Sequence, residues 1–244
     1  MSTLFHVSDL HFGAEDVAAL AAFAQAVRDE RPDAVVMTGD LTMRARAHEF
    51  AAAEEWLTSL GVPVTIGVGN HDLPHYYKLW SRFFRPYARF ERLERAIERP
   101  LELADVAIVP LKTTARAQWR LNWSQGRVAT RRLSATLKGL NAVPDARIRI
   151  VTCHHPLLDA PGGQSAGRTR GGHASLAALA AAGTDIVLSG HVHDAFDIVW
   201  NDGSRPVRMV GAGTLSERVR ATRPSYNRID IDGSNARVTL RELL

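Results

Sequence analysis

The chain has 244 residues, 45% hydrophobic and 23% charged, with 30 basic against 26 acidic side chains and a formal net charge of +4. This composition describes a globular chain able to bury a sizeable core, and it excludes a disordered or fibrous one. Only Lys78, Lys112 and Lys138 are lysines, so arginine carries the excess, which favours anionic ligands without pointing to nucleic acid; the single cysteine, Cys153, excludes a disulfide framework and a cysteine-built zinc cage.

In chain order, short β-branched runs predict strands over Leu4–Ser8, Ala34–Thr38 and Val64–Val68, separated by helices over Glu15–Glu30, Ala45–Leu60 and His75–Phe84. Arg31-Pro32-Asp33 and Gly61-Val62-Pro63 stop the first two helices. The second half is richer in strands, predicted over Val106–Pro110, Ile148–Cys153, Asp185–Ser189, Ile198–Trp200, Val207–Val210, Tyr226–Ile231 and Arg237–Leu240. Helices over Thr130–Leu140 and His173–Ala182 fall between them. About ten strands strain a single open twisted sheet, so two sheets are expected. No export leader and no membrane-length apolar run is legible, so the chain is expected to be cytoplasmic and to form one domain over residues 1–244.

Two stretches stand apart. Residues 159–172 hold five glycines and a proline, the make-up of a mobile loop, and residues 82–99 carry six arginines at helical spacings, read as a solvated helix face. Trp80, Phe83, Phe84, Tyr87 and Phe90 form an apolar cluster that fits either core or a subunit contact, core being the preferred reading.

The chemistry gathers at strand ends. Asp9-Leu10-His11, Gly39-Asp40, Gly69-Asn70-His71-Asp72, Cys153-His154-His155-Pro156 and Gly190-His191-Val192-His193 each follow an apolar run. Parallel strands bring their carboxyl ends to one edge, so these residues can converge. Asp-x-His and His-x-His turn alternate side chains to the same side of an extended backbone. Carboxylates, one amide and several imidazoles, with no thiolate, suit Mn²⁺, Fe or Zn²⁺ rather than a dedicated Ca²⁺ or Mg²⁺ cage. Asp40, between the other groups in chain order, is the natural bridge between two ions. Cys153, on an apolar strand, is expected to be an inert buried thiol.

In these motifs the chain resembles the calcineurin-like metallophosphoesterases, through Asp9, His11, Asp40, Asn70, His71, His154, His191 and His193. The resemblance runs from residue 4 to about residue 194. It implies an α/β fold, a four-layer α/β/β/α sandwich, and a dinuclear centre. One ion would be held by Asp9, His11, Asp40 and His193, and the other by Asp40, Asn70, His154 and His191. Two such cations lower the pKa of a shared water and clamp a phosphate for in-line attack by hydroxide. His71 would sit outside the metal shell and serve a phosphoryl oxygen or the leaving group, which makes it, with Asp72, a catalytic candidate. Asp72 either orients His71 or caps a helix beginning near Leu73-Pro74. His155 is either a supporting neighbour of the metals or a packed histidine at the strand end.

Within the family the chain looks most like small bacterial phosphodiesterases acting on cyclic nucleotides or glycerophosphodiesters. Small phosphorylated substrates are therefore the expected partners, with Arg116, Arg168 and Arg170 as candidates to grip them. A phosphomonoesterase, a nuclease and a non-catalytic scaffold are the alternatives. The related lipid pyrophosphohydrolases carry arginine where this chain has His71, which counts against that branch. A nuclease would want DNA-handling regions for which 244 residues leave little room, and a scaffold predicts a broken ligand set.

Overall fold

A computed structural model of the chain describes residues 1–74, 79–99, 101, 103–104, 106–115, 124–143, 148–159, 169–220 and 223–243. The first half alternates strand and helix: β1 (Ser2–Val7), α1 (Val17–Glu30), β2 (Ala34–Met37), α2 (Ala47–Ser59) and β3 (Val64–Ile66). After α3 (Leu79–Phe84) and α4 (Ala88–Ile97) come β4 (Val106–Pro110), α5 (Thr130–Asn141), β5 (Ile148–Thr152), α6 (Gly172–Ala181) and β6 (Ile186–Ser189). The chain closes with β7 (Phe196–Trp200), β8 (Val207–Gly211), β9 (Ser225–Asp232) and β10 (Asn235–Glu242). Asp16 caps α1 by accepting from the Ala19 N–H, and Arg31, left-handed at φ 48°, ends it where the sequence placed a stop.

The strands form two sheets, in the orders β10-β9-β1-β2-β3 and β4-β5-β6-β8-β7. β1, β2 and β3 run parallel, as do β4, β5, β6 and β8. Three apolar clusters mark the layers. Phe5, Val7, Val35 and Met37 pack under α1, α2 and α4; Leu4, Val36, Ile150, Leu188, Ile229 and Ile231 fill the space between the sheets; and Val151, Val187 and Met209 pack under α5 and α6. Both faces of each central strand are thus buried, which is why these strands read as continuous apolar runs rather than alternating ones. The result is an α/β fold in four layers. No helix among the described residues is long and apolar enough to cross a membrane.

The apolar cluster near residue 85 lies in the core only in part: Phe90 is buried there and Tyr87 packs against it. Trp80 is 77% exposed and Phe84 65%, their rings stacked 4.2 Å apart, while only Phe90 is fully buried. Six residues of α3 offer less than two turns, and a helix that short has no wide face to bury. The predicted start of this helix at residue 75 lies outside the described residues, as do residues 160–168 of the glycine-rich loop.

A small polar network is buried between the sheets. His6 on β1 donates from Nε2 to Thr38 Oγ1 (3.1 Å) and accepts at Nδ1 from Asn227 Nδ2 (3.2 Å), and Asn227 also donates to Gly211 O of the other sheet (3.0 Å). Burial lowers the His6 pKa to about 3, so the folded chain keeps this ring neutral where the unfolded chain, titrating near 6.5, takes a proton. The unfolded state therefore binds more protons between those values, and stability falls as pH drops through that window. Urea unfolding of chelator-treated protein from pH 7 to 4 is expected to show this loss, and His6→Gln to make the slope shallower by up to about 1.4 kcal/mol per pH unit. An unchanged slope in the variant would contradict the assignment.

Candidate metal centre

The carboxyl ends of β1, β2, β3, β5 and β6 meet at one edge shared by the two sheets, and the five motifs meet with them. Holding short loops there takes unusual backbone. Asp9, His11, Asp40, His191 and His193 all have positive φ, between 48° and 71°, and only Arg31 and Ala45 join them among the described non-glycine residues. This left-handed region is costly for such side chains and persists where surrounding contacts over-determine it. Those contacts are present: Asp9 N–H donates to Gly39 O (3.0 Å), His11 N–H to Asp40 O (3.0 Å) and His191 N–H to Asp9 Oδ2 (2.8 Å). The glycines leave room for them. A Cβ on Gly39, whose φ is +112°, would fall 2.7 Å from His154 Nδ1, and one on Gly190 1.8 Å from Ser8 Oγ.

The donor atoms converge as lone pairs. His154 donates Nδ1–H to Thr38 O (3.0 Å), which leaves its Nε2 lone pair facing Asp40 Oδ2 at 3.2 Å and Asn70 Oδ1 at 3.1 Å. His193 likewise donates Nδ1–H to Arg218 O (2.8 Å) and turns Nε2 to Asp9 Oδ1 at 3.3 Å and His11 Nε2 at 3.1 Å. Backbone carbonyls that fix the tautomer in this way are the usual support of metal-binding imidazoles. The Asp40 carboxylate is divided between tasks: Oδ1 accepts the His71 N–H (2.8 Å), and Oδ2 lies 3.9 Å from His11 Nε2 as well as beside His154. It therefore stands between the Asp9–His11–His193 and the Asn70–His154 groups. Among the described residues Asp9 Oδ1, His11 Nδ1 and His191 Nε2, all buried, have no hydrogen-bond partner. Ligand atoms gathered in this way, with orphaned buried atoms among them, call for a shared cation, and Asp9–His11–His193, Asp9–Asp40–His154, His11–Asp40–His71 and His154–His155–His191 each lie close enough to hold one.

Charge state agrees with that use. Burial lowers His11 to about 4 and His191 to about 3, so both present neutral imidazoles at pH 7. Burial opposes ionisation of Asp9 and Asp40, yet the neighbouring histidines hold both carboxyls below the usual range. Burial would also lower His154, but Asp40 carries it up to about 9, so the pair retains a proton that a cation would displace.

The remaining sequence candidates fall in different places. His155 meets the His154 ring edge-on at 4.8 Å, but its nitrogens are used elsewhere, donating Nε2–H to Ser124 O (2.7 Å) and accepting at Nδ1 from Thr113 Oγ1 (2.9 Å). With both nitrogens used it has no lone pair for a metal, and its ring packs against that of His191 at 4.5 Å. Among the described residues Asp72 does not hydrogen-bond His71, and the helix it was expected to cap runs into residues 75–78, outside the described residues. The Asp72 carboxylate accepts from Thr42 N–H (2.9 Å), Thr42 Oγ1 (3.0 Å) and Gly69 N–H (2.9 Å), tying the loop after β2 to the loop after β3. Cys153 is buried, its thiol pushed up to about 12 by burial. Arg170 is exposed and joins the structure through its backbone, beside Arg127. Arg116 and Arg168 lie outside the described residues.

The arginine-rich segment builds something more than a solvated face. Arg85, Arg92, Arg95, Arg127 and Arg132 line a cavity of about 930 Å³, with Glu91 the one acidic wall among the described residues. Thr114, also in that wall, follows the Thr113 that holds His155. Arg218 escaped the sequence reading altogether. It follows β8 in a stretch with no strand-end motif, yet its Nη1 reaches His71 Nε2 at 3.1 Å and His11 Nε2 at 3.4 Å.

Comparison with known proteins decides the family. The model of the calcineurin-like phosphoesterases matches residues 2–195. The chain belongs to that family. It is 27% identical over 173 residues to a probable glycerophosphodiester phosphodiesterase of Arcobacter nitrofigilis, over 70% of this chain and 60% of that protein. It is 35% identical over 80 residues to a glycerophosphodiester phosphodiesterase of Enterobacter lignolyticus, over 28% of this chain and 29% of that protein. The chain thus matches less than two thirds of the length of either relative. A dimetal phosphatase from Danio rerio superposes with a TM-score of 0.68 over 100% of this chain and 96% of that one, at 14% identity, a likeness of fold.

Proposed function

We propose that this calcineurin-like phosphoesterase is a metal-dependent hydrolase of small phosphodiesters, of the cyclic-nucleotide or glycerophosphodiester type. The observation that carries the reading is the meeting of Asp40 Oδ2, Asn70 Oδ1 and His154 Nε2 beside the Asp9–His11–His193 group, ligand atoms gathered closely enough for a cation to replace the proton that Asp40 and His154 share. In this reading Asp9, His11, Asp40 and His193 hold one divalent ion, and Asp40, Asn70, His154 and His191 hold the other, with Mn²⁺, Fe and Zn²⁺ all suited to the donors. Such a pair supplies Lewis acidity and a nucleophile from water at neutral pH.

The chain's own residues do the rest. His71 donates Nδ1–H to Met43 O (2.8 Å), which aims Nε2 at the centre, where it can take or give the proton of the leaving oxygen. His155 and Asp72 act from behind, the first holding the loop after β5 against Thr113 and Ser124, the second fixing Asn70 and His71 through Gly69 and Thr42. The arginine-lined cavity offers positive potential to an anionic leaving group. Support for a diester comes from the two glycerophosphodiester phosphodiesterases it resembles.

The test is hydrolysis of bis(p-nitrophenyl) phosphate and p-nitrophenyl phosphate by chelator-stripped protein with Mn²⁺, Zn²⁺ or Fe²⁺ restored. Metal-restored cleavage of the diester well above the monoester is expected. Monoester preference would replace the diesterase reading with a phosphatase, and no turnover with any metal would overturn hydrolysis itself.

A further inference from the structure

Arg218 lies beyond the residues 2–195 that match the family model. Its backbone is laced to the donors: its carbonyl accepts from His193 Nδ1 (2.8 Å) and its N–H donates to Ser216 Oγ (3.3 Å). Ser216 Oγ in turn bonds Thr214 Oγ1 (2.7 Å), which donates to Asp9 O (2.6 Å). The guanidinium is therefore anchored at its base and aimed inward. Besides His71 Nε2 and His11 Nε2, it touches Met43 Sδ at 4.0 Å. Among the described residues no carboxylate pairs with it.

A fixed positive charge with no anion, set against donors that themselves gather cations, is repelled by whatever those donors bind. The arrangement becomes favourable when an anion lies between the guanidinium and the cations. We propose that Arg218 is a catalytic residue that binds a non-bridging oxygen of the substrate's phosphoryl group. The inference rests on the reading of the site as a phosphoester hydrolase.

Arginine suits the task. Its planar fork offers two N–H donors in the geometry of a phosphate edge and never gives up its proton at working pH. It makes and breaks no covalent bond; it holds the phosphoryl group and meets the charge that grows on its equatorial oxygens during displacement. When Arg218 turns to that oxygen it releases His71 Nε2, its present partner at 3.1 Å, for the leaving oxygen. Substrate entry and the freeing of His71 are thereby one event.

The experiment compares wild type, Arg218→Met and Arg218→Lys in the metal-loaded protein, reading diester kinetics, inhibition by inorganic phosphate, and metal content. Arg218→Met is expected to lower kcat about 10²–10³-fold and to weaken phosphate inhibition about 10–10²-fold, with metal content unchanged. Arg218→Lys is expected to recover part of the phosphate affinity and less of kcat. Unchanged phosphate inhibition in Arg218→Met would overturn the assignment; tighter metal binding alongside it would show a charge that only opposes the metals. Wild-type protein that loads metal yet neither cleaves the diester nor responds to phosphate would sink the hydrolase reading as well, whereas an active wild type matched by its variants would sink Arg218 alone.

Discussion

Replacing Asp40 by asparagine is expected to remove metal binding and activity together. Asp40 Oδ1 accepts the His71 N–H while Oδ2 lies within 3.2 Å of His154 and 3.9 Å of His11, so a single carboxylate serves both donor groups. Asparagine tolerates the positive φ of 55° that this position requires, and its amide oxygen can still accept from His71, so the backbone is retained while the shared charge is lost. Metal-ion chemistry supplies several kcal/mol to reactions of this class, and at about 1.4 kcal/mol per tenfold the rate should fall by more than about 10³-fold. Metal content after desalting, measured beside turnover, checks the coupling. A variant that keeps both ions and full activity would remove Asp40 from the bridging position.

His71→Ala separates the two functions that Asp40 joins. His71 lies near enough to His11 and Asp40 to count as a further donor on distance alone, and its ring meets that of His11 edge-on at 4.8 Å. In the proposed reading it serves the substrate instead: the backbone N–H is held by Asp40, Nδ1 by Met43 O, and Nε2 lies 3.1 Å from the Arg218 guanidinium, nearer than that group comes to His11. The expected result is unchanged metal content with kcat lower by about 10²–10⁴-fold, the range of a lost general acid or base. Loss of one ion instead would make His71 a ligand.

The sequence carries most of this fold in plain view. Strands buried on both faces show as unbroken β-branched runs, and the stops at Arg31 and Gly61 fall where α1 and α2 end. The doubled histidines part as expected, His154 turning to Asp40 and His155 to Thr113, although β5 ends at Thr152 and it is the loop after it, not strand alternation, that separates them. Other features depend on tertiary facts with no local trace. Which apolar residues of α3 find cover is decided by neighbours distant in sequence, so Trp80 and Phe84 looked like core and stand in solvent. Asp72 offered local roles in the sequence, and the structure adds one across the loop to Thr42. Arg218 enters from a loop after β8, brought to the centre by hydrogen bonds through Thr214 and Ser216 to Asp9; nothing in its own neighbours marks it.

The most direct test of a two-ion centre is titration of chelator-stripped protein with Mn²⁺, followed by calorimetry for stoichiometry and by electron paramagnetic resonance for coupling between ions. Two ions per chain with an exchange-coupled spectrum, and diester cleavage that rises with occupancy of the weaker site, is the predicted result. A single uncoupled ion at saturation, or full activity with only one site filled, would contradict it.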